Sequence, residues 1–114
     1  MSDHARAAKS DLLPGTLQML ILRTLTLGAL HGYGISQHLE KSSGGVLKVE
    51  AGSLYPSLER LLREGWVTAR WGEGPTGRRA RYYTITRSGR AQLQRRTEDY
   101  ERVVRAITQV MSGA

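Results

Sequence analysis

The spacing of apolar residues changes abruptly at Gly65, and no other feature of the chain constrains its fold so tightly. Before that glycine, "GSLYPSLERLLRE" (52–64) sets Leu54, Leu58, Leu61 and Leu62 on one face of a helix turning about 100° per residue. After it, "WVTARW" (66–71) and "ARYYTIT" (80–86) are rich in β-favouring residues. They flank the turn-rich "GEGPTGRR" (72–79), so the helix hands over directly to a hairpin with a loop longer than two residues.

Upstream, Pro14 suits a first helical turn, where its missing N–H costs nothing. Leu17, Leu20, Ile21 and Leu25 recur at helical spacing, Met19, Leu22 and Leu27 broaden the apolar surface, and Gly28 marks a stop. "HGYGISQHLEKSSGG" (31–45) predicts a second helix opening near Gly32 and closing at Gly44-Gly45. "VLKV" (46–49) reads as a brief strand. Thr86 is the expected N-cap of a last helix reaching about Met111. The order is helix, helix, short strand, helix, hairpin, helix. That predicts a mainly α fold with a small β-hairpin: a winged helix-turn-helix whose third helix is presented to a groove, plus a C-terminal helix.

With Ser53 as N-cap, Pro56 falls among the first four residues of the third helix, whose N–H groups lack intrahelical partners. Pro56, Glu59, Arg60 and Arg63 share the face opposite the leucines, with Tyr55 at the boundary. A helix entering the DNA major groove reads base edges with its N-terminal residues, and its free N–H groups favour phosphate. Ser53, Tyr55 and Pro56 are therefore the expected DNA-proximal residues. Arg60 is the candidate for a bidentate contact to guanine. The plainer reading keeps these charges as surface support, with Glu59 pairing to Arg63 and Arg60 lying beside Glu64.

Charge supports a polyanionic partner. The net charge is +7, yet residues 60–96 hold ten arginines against only Glu64 and Glu73. The remainder, with seven basic and eight acidic residues, is almost neutral. Such a localised cationic surface suits nucleic acid, although a solvated arginine-rich face would have the same composition. "GEGPTG" (72–77) matches G-x-G-x-x-G literally, but strand-like sequence follows where a dinucleotide site needs a helix. The better reading is a flexible wing tip with Arg78, Arg79 and Arg81 set to neutralise phosphates or enter a minor groove. Trp66 and Trp71 are expected to pack. Of Tyr82 and Tyr83, on opposite faces of a strand, one belongs to the core.

In the last helix Leu93, Thr97, Tyr100, Val104, Ile107 and Met111 alternate steps of four and three, a heptad seam that predicts self-association. Dimerisation would set two reading helices about 34–36 Å apart for a pseudo-palindromic site. Catalysis is not expected. His4, His31 and His38 are scattered, no serine stands in a nucleophile elbow, and cysteine is absent, so no metal or cofactor is implied. Residues 1–11 are polar and lack the apolar stretch of a secretory signal. The most apolar run (17–30) is interrupted by Gln18 and Arg23 and is shorter than the roughly 20 residues a spanning helix needs. A soluble, cytoplasmic protein without a membrane partner is expected.

"LLPGTLQMLILRTL", "HGYGISQHLE", "AGSLYPSLERLLREGWV" and "GRRARYYTITRSGRAQL" together resemble, in order and spacing, the PadR-like transcriptional regulators over about residues 12–111. The resemblance implies a winged-helix homodimer, usually a repressor, of the short form with a single C-terminal helix. It carries DNA-facing roles to Tyr33, to Ser53, Tyr55 and Pro56, and to the wing around Arg78, Arg79 and Arg81. Some members bind flat aromatic ligands between subunits through a Trp of the last helix; here Tyr100 is that helix's only aromatic, and no effector is identified. The expected organisation is a polar, flexible tail (1–11), a winged helix-turn-helix domain (12–86) and a dimerisation helix (87–114). The expected function is sequence-specific binding of double-stranded DNA by a homodimer. A winged helix that binds RNA or protein without operator specificity is the alternative, and a small nucleotide-dependent enzyme rests only on the glycines of the wing.

Overall fold

Helix α1 (Pro14–Leu25) is the element around which the others assemble. Leu17, Met19, Ile21, Leu22 and Leu25 are all buried and point in several directions around its axis. A helix apolar round so much of its circumference needs neighbours on several sides. It finds them in α2 (Gly32–Ser42), α3 (Ala51–Arg63), β3 (Arg79–Ile85) and α4 (Arg87–Met111). Each fully buried Leu or Ile contributes roughly 1.5–3 kcal/mol, which makes α1 the main anchor of the core. The structure is a computed structural model that describes residues 14–113; the expected polar tail (1–11) and His4 lie outside the described residues.

Gln18, an interruption in the apolar run, is also buried. Its Oε1 accepts a 2.8 Å hydrogen bond from Arg96 Nη1 on α4, and the same nitrogen donates to the Gly15 carbonyl at 3.2 Å. The Arg96 guanidinium lies 5.3 Å from the centre of the Trp66 ring. Leu27, by contrast, does not extend the apolar face: α1 ends at Leu25, three residues before Gly28, and Leu27 is exposed in the following turn.

The sheet has three antiparallel strands in the order β1-β3-β2, with β2 running from Val67 to Glu73. Its third member is β1 (Leu30–His31), paired with Tyr83 and Tyr82, and not the expected strand at 46–49. The free edge of β3 is already taken by β1, so "VLKV" only links α2 to α3. Val46 is exposed, Leu47 N–H donates to Ser43 Oγ, and Val49 packs on the core.

Helix α3 starts at Ala51, with Glu50 as its N-cap residue, because the Glu50 carbonyl accepts from both Ser53 and Leu54 N–H. Ser53 is thus a residue of the first turn rather than the cap. At the other end Trp66 N–H reaches Leu61 O and Gly65 N–H reaches Leu62 O, the paired bonds of a Schellman stop. Leu54, Leu58 and Leu61 are buried and Leu62 is half-buried. The hairpin runs in register from Val67↔Ile85 to Glu73↔Arg79. Tyr83 is its core tyrosine; Tyr82 stays half-buried and donates to the Glu73 carbonyl.

Thr86 caps α4 by accepting from Gly89 N–H, and its hydroxyl also donates to the Gly65 carbonyl. Gly89 brings the helix against the β2 start so closely that a Cβ there would collide with the Trp66 carbonyl oxygen and lie 2.9 Å from Ile85 Cγ1. Leu93 packs on the core and Arg96 and Thr97 are half-buried; every residue from Glu98 through Gly113 is exposed.

Candidate nucleic-acid interface

The start of α2, Tyr55 and Glu59 of α3, and the wing line an open groove of about 540 Å³. Tyr33, Tyr55, Trp71, Arg79, Arg81 and Glu59 are among the side chains that line it. The start of α2 is fixed by His31, whose Nδ1 accepts the Gly34 N–H at 2.9 Å. Gly32 is buried beneath Tyr55: a Cβ there would collide with the Tyr55 hydroxyl and ring. The glycine therefore lets the two helices close up and sets Tyr55 over the α2 terminus. Tyr33, next in sequence, is exposed, and its hydroxyl accepts from Gln37 Nε2 at 3.0 Å.

Ser53, Tyr55 and Pro56 are all exposed at the amino end of α3. Because the helix begins at Ala51, Pro56 lies beyond the first four residues and removes the N–H that would have met the Gly52 carbonyl. Gly52 is exposed, so this carbonyl remains open to solvent at the helix end. Proline at this place stiffens the helix without opening a defect in the core.

The charged residues of α3 divide between two neighbours. Glu59 does not pair with Arg63; its Oε2 accepts from Arg81 Nη1 of the wing at 3.2 Å, a partly exposed ion pair worth about 0–1 kcal/mol. Arg60 is exposed on the flank toward α4. Burial holds the Arg96 guanidinium below the usual arginine range, nearby Arg60 lowers it further, and Glu64 opposes both.

In the wing, Gly74 N–H bonds to Arg78 O and Gly77 N–H to Gly74 O, closing the tip into a defined turn. β3 follows at once, which disposes of the dinucleotide reading of "GEGPTG". Arg78 and Arg79 are exposed, while Arg81 is half-buried against Tyr83 and tied to Glu59. Trp66 packs on the core as expected, but Trp71 is 57% exposed with Arg79 over its ring at 5.1 Å. Sequence reasoning missed Trp71, and period-two counting could have found it: Val67, Ala69 and Trp71 share a face that outruns the helices beneath it.

The far half of α4 has a different character. Tyr100, Val103, Val104, Ile107, Val110 and Met111 form one exposed apolar stripe. Val103 and Val110 widen the expected seam, whereas its first member, Leu93, is packed on its own core. Among the described residues, no group of His, Asp or Glu could hold a metal ion, and no helix is long and apolar enough to cross a membrane.

Helices α1 to α3, with a hairpin wing beside the third, define a winged helix-turn-helix protein extended by a C-terminal helix. Residues 21–95 match the transcriptional regulator PadR-like family, and the chain belongs to that family. It is accordingly a DNA-binding transcriptional regulator and not an enzyme. A protein of Lysinibacillus sphaericus without an assigned function is 29% identical over 105 residues, 92% of this chain and 96% of that one. The negative transcriptional regulator PadR of Bacillus subtilis is 32% identical over 77 residues, 68% of this chain but 42% of that protein. A transcriptional regulator from Clostridium thermocellum superposes with a TM-score of 0.79 at 26% identity, covering 87% of this chain and 96% of that one.

Proposed function

We propose that this protein is a sequence-specific repressor that binds a pseudo-palindromic operator as a homodimer. Helix α3 enters the major groove amino end first, with Ser53, Tyr55 and Pro56 nearest the bases and Arg60 on its flank. Tyr33 approaches the same duplex from the start of α2. Arg78 and Arg79 neutralise backbone phosphates, and Arg81, held by Glu59, fixes the wing against the reading helix. The observation that carries this reading is the convergence of Tyr33 of α2, Tyr55 of α3 and Arg79 and Arg81 of the wing on one open groove. A helix N-terminus attracts phosphate, and cations of the wing extend that attraction along the strand.

The seam Leu93, Thr97, Tyr100, Val104, Ile107 and Met111 supplies the dimer element, with its exposed part from Tyr100 onward making the contact. An exposed apolar stripe on a charged helix is the pattern of a partner surface. The name of the Bacillus subtilis relative supports a negative sign of regulation. Gel shifts with duplex DNA and with RNA of the same sequence test the reading. Duplex DNA is expected to win, and Arg78→Ala with Arg79→Ala should weaken all duplexes alike and lower the log–log salt slope by about 0.9 per lost phosphate contact. Changes at Ser53, Tyr55 or Arg60 should instead alter which sequence is preferred. Equal or stronger RNA binding would overturn the operator reading.

A further inference from the structure

We infer that Trp71 is a DNA-contacting residue of the wing, its indole seated against the sugar–phosphate backbone of one strand while it holds Arg79 toward the adjoining phosphate. This rests on the proposed binding of duplex DNA. The β2–β3 register puts Val67, Ala69, Trp71 and Glu73 opposite Ile85, Tyr83, Arg81 and Arg79 on one face of the sheet. The first part of that face is core, with Val67, Tyr83 and Ile85 buried. Where the strands outrun the helices, the same face continues as Trp71, Arg79 and Arg81 and becomes a wall of the groove. Trp71 is thus turned inward by strand alternation but is left 57% exposed, with the Arg79 guanidinium over its ring.

The two tryptophans make the contrast plain. Trp66 packs on the core, with Arg96 over its ring. Trp71 has Arg79 at 5.1 Å and open groove beyond. An exposed cation–π contact is worth only about 0.5–1 kcal/mol, too little to account for holding an indole in water. It does orient the guanidinium. Arg81 is already engaged by Glu59, whereas among the described residues Arg79 has no carboxylate within ion-pair distance. A flat apolar ring beside a guanidinium without an ion-pair partner among the described residues matches the alternation of deoxyribose and phosphate along a DNA strand. Phosphate and sugar contacts fix register and orientation, so Trp71 affects affinity for every sequence alike.

Fluorescence tests this directly, because the chain contains only two tryptophans. In Trp66→Phe, Trp71 is the sole tryptophan and is excited selectively over the tyrosines; a mixed-sequence duplex of about 30 base pairs is titrated in low salt, with binding followed independently by anisotropy of a dye on the duplex. Trp71 emission should fall by about half as the duplex saturates and recover as salt is raised, tracking the anisotropy. In the otherwise native chain, Trp71→Ala should weaken the duplex by about tenfold, the scale of one lost contact of roughly 1.4 kcal/mol. This second measurement carries the test should Trp66→Phe fold poorly. Duplex binding with Trp71 emission unchanged, or native affinity in Trp71→Ala, overturns the inference and leaves the DNA reading standing. Stronger quenching by the single strand than by the duplex overturns the duplex assignment. No duplex binding by the native chain overturns both.

Discussion

The two halves of α4 have similar heptad spacing and opposite surroundings. In the near half, Gly89, Leu93 and Arg96 are locked to the Trp66 carbonyl, the core and Gln18. In the far half, Tyr100, Val103, Val104, Ile107, Val110 and Met111 face solvent. At 25 residues the helix is about 37 Å long, longer than the head it packs against can cover. An apolar period therefore announces a buried face without saying what buries it. Only the position of the rest of the chain separates an intramolecular seam from one awaiting a partner.

The contrast breaks most sharply at Gly89. Gly89→Val should destabilise the head by about 3 kcal/mol or more, read as a large fall in melting temperature, since the backbone carbonyl of Trp66 has no room to retreat. A native melt would show that the near half is not docked as described. Next in size is Ile107→Glu with Val110→Glu in the far half. Dimer affinity, measured by sedimentation, should fall at least about 100-fold, while the melting of a dilute sample changes little. A monomeric native protein at micromolar concentration would remove the basis for this expectation.

Smaller effects sharpen the division. Arg96→Met leaves buried Gln18 without its hydrogen bond and should cost about 1–3 kcal/mol of stability, with the solution mass unchanged. The smallest effect is alkaline. Burial raises the Tyr83 phenol above the usual value near 10, Arg81 opposes this, and Glu59 and Tyr55 add to it. The unfolded chain then loses this proton first. Stability present below about pH 10 declines as pH rises from there through the folded-state value. Tyr83→Phe should flatten that part of the slope in chemical denaturation, and an unaltered slope would show that Tyr83 is not its source.

Elements marked by long apolar periods were legible from the chain: α1, α2, α3, the hairpin, and α4 with its Thr86 cap. Boundaries set by backbone bonds were not. Ser53 looked like a cap, but the Glu50 carbonyl starts the helix earlier, a choice made by chain geometry among several polar residues. "VLKV" has strand chemistry but no free edge to join, whereas Leu30 and His31 reach that edge because α1 delivers them beside β3. The candidate interface was legible in part. Tyr33, Tyr55 and Arg79 line one groove, and Ser53, Pro56 and Arg78 are exposed without lining it, while Arg81 and Glu59 meet across 22 residues of sequence, a pairing that local spacing does not contain.

By itself the sequence determined the succession of periods, the concentration of arginine between residues 60 and 96, and the glycine that ends α3. Those are local properties, fixed by side-chain spacing and chemistry along a few turns or strands. Tertiary structure alone decided which tyrosine of the 82–83 pair is buried, which part of α4 is docked, and that Trp71 leaves the core for the groove. Each depends on where a neighbouring element stops, and the apolar pattern of a segment does not encode the length of the neighbour that covers it.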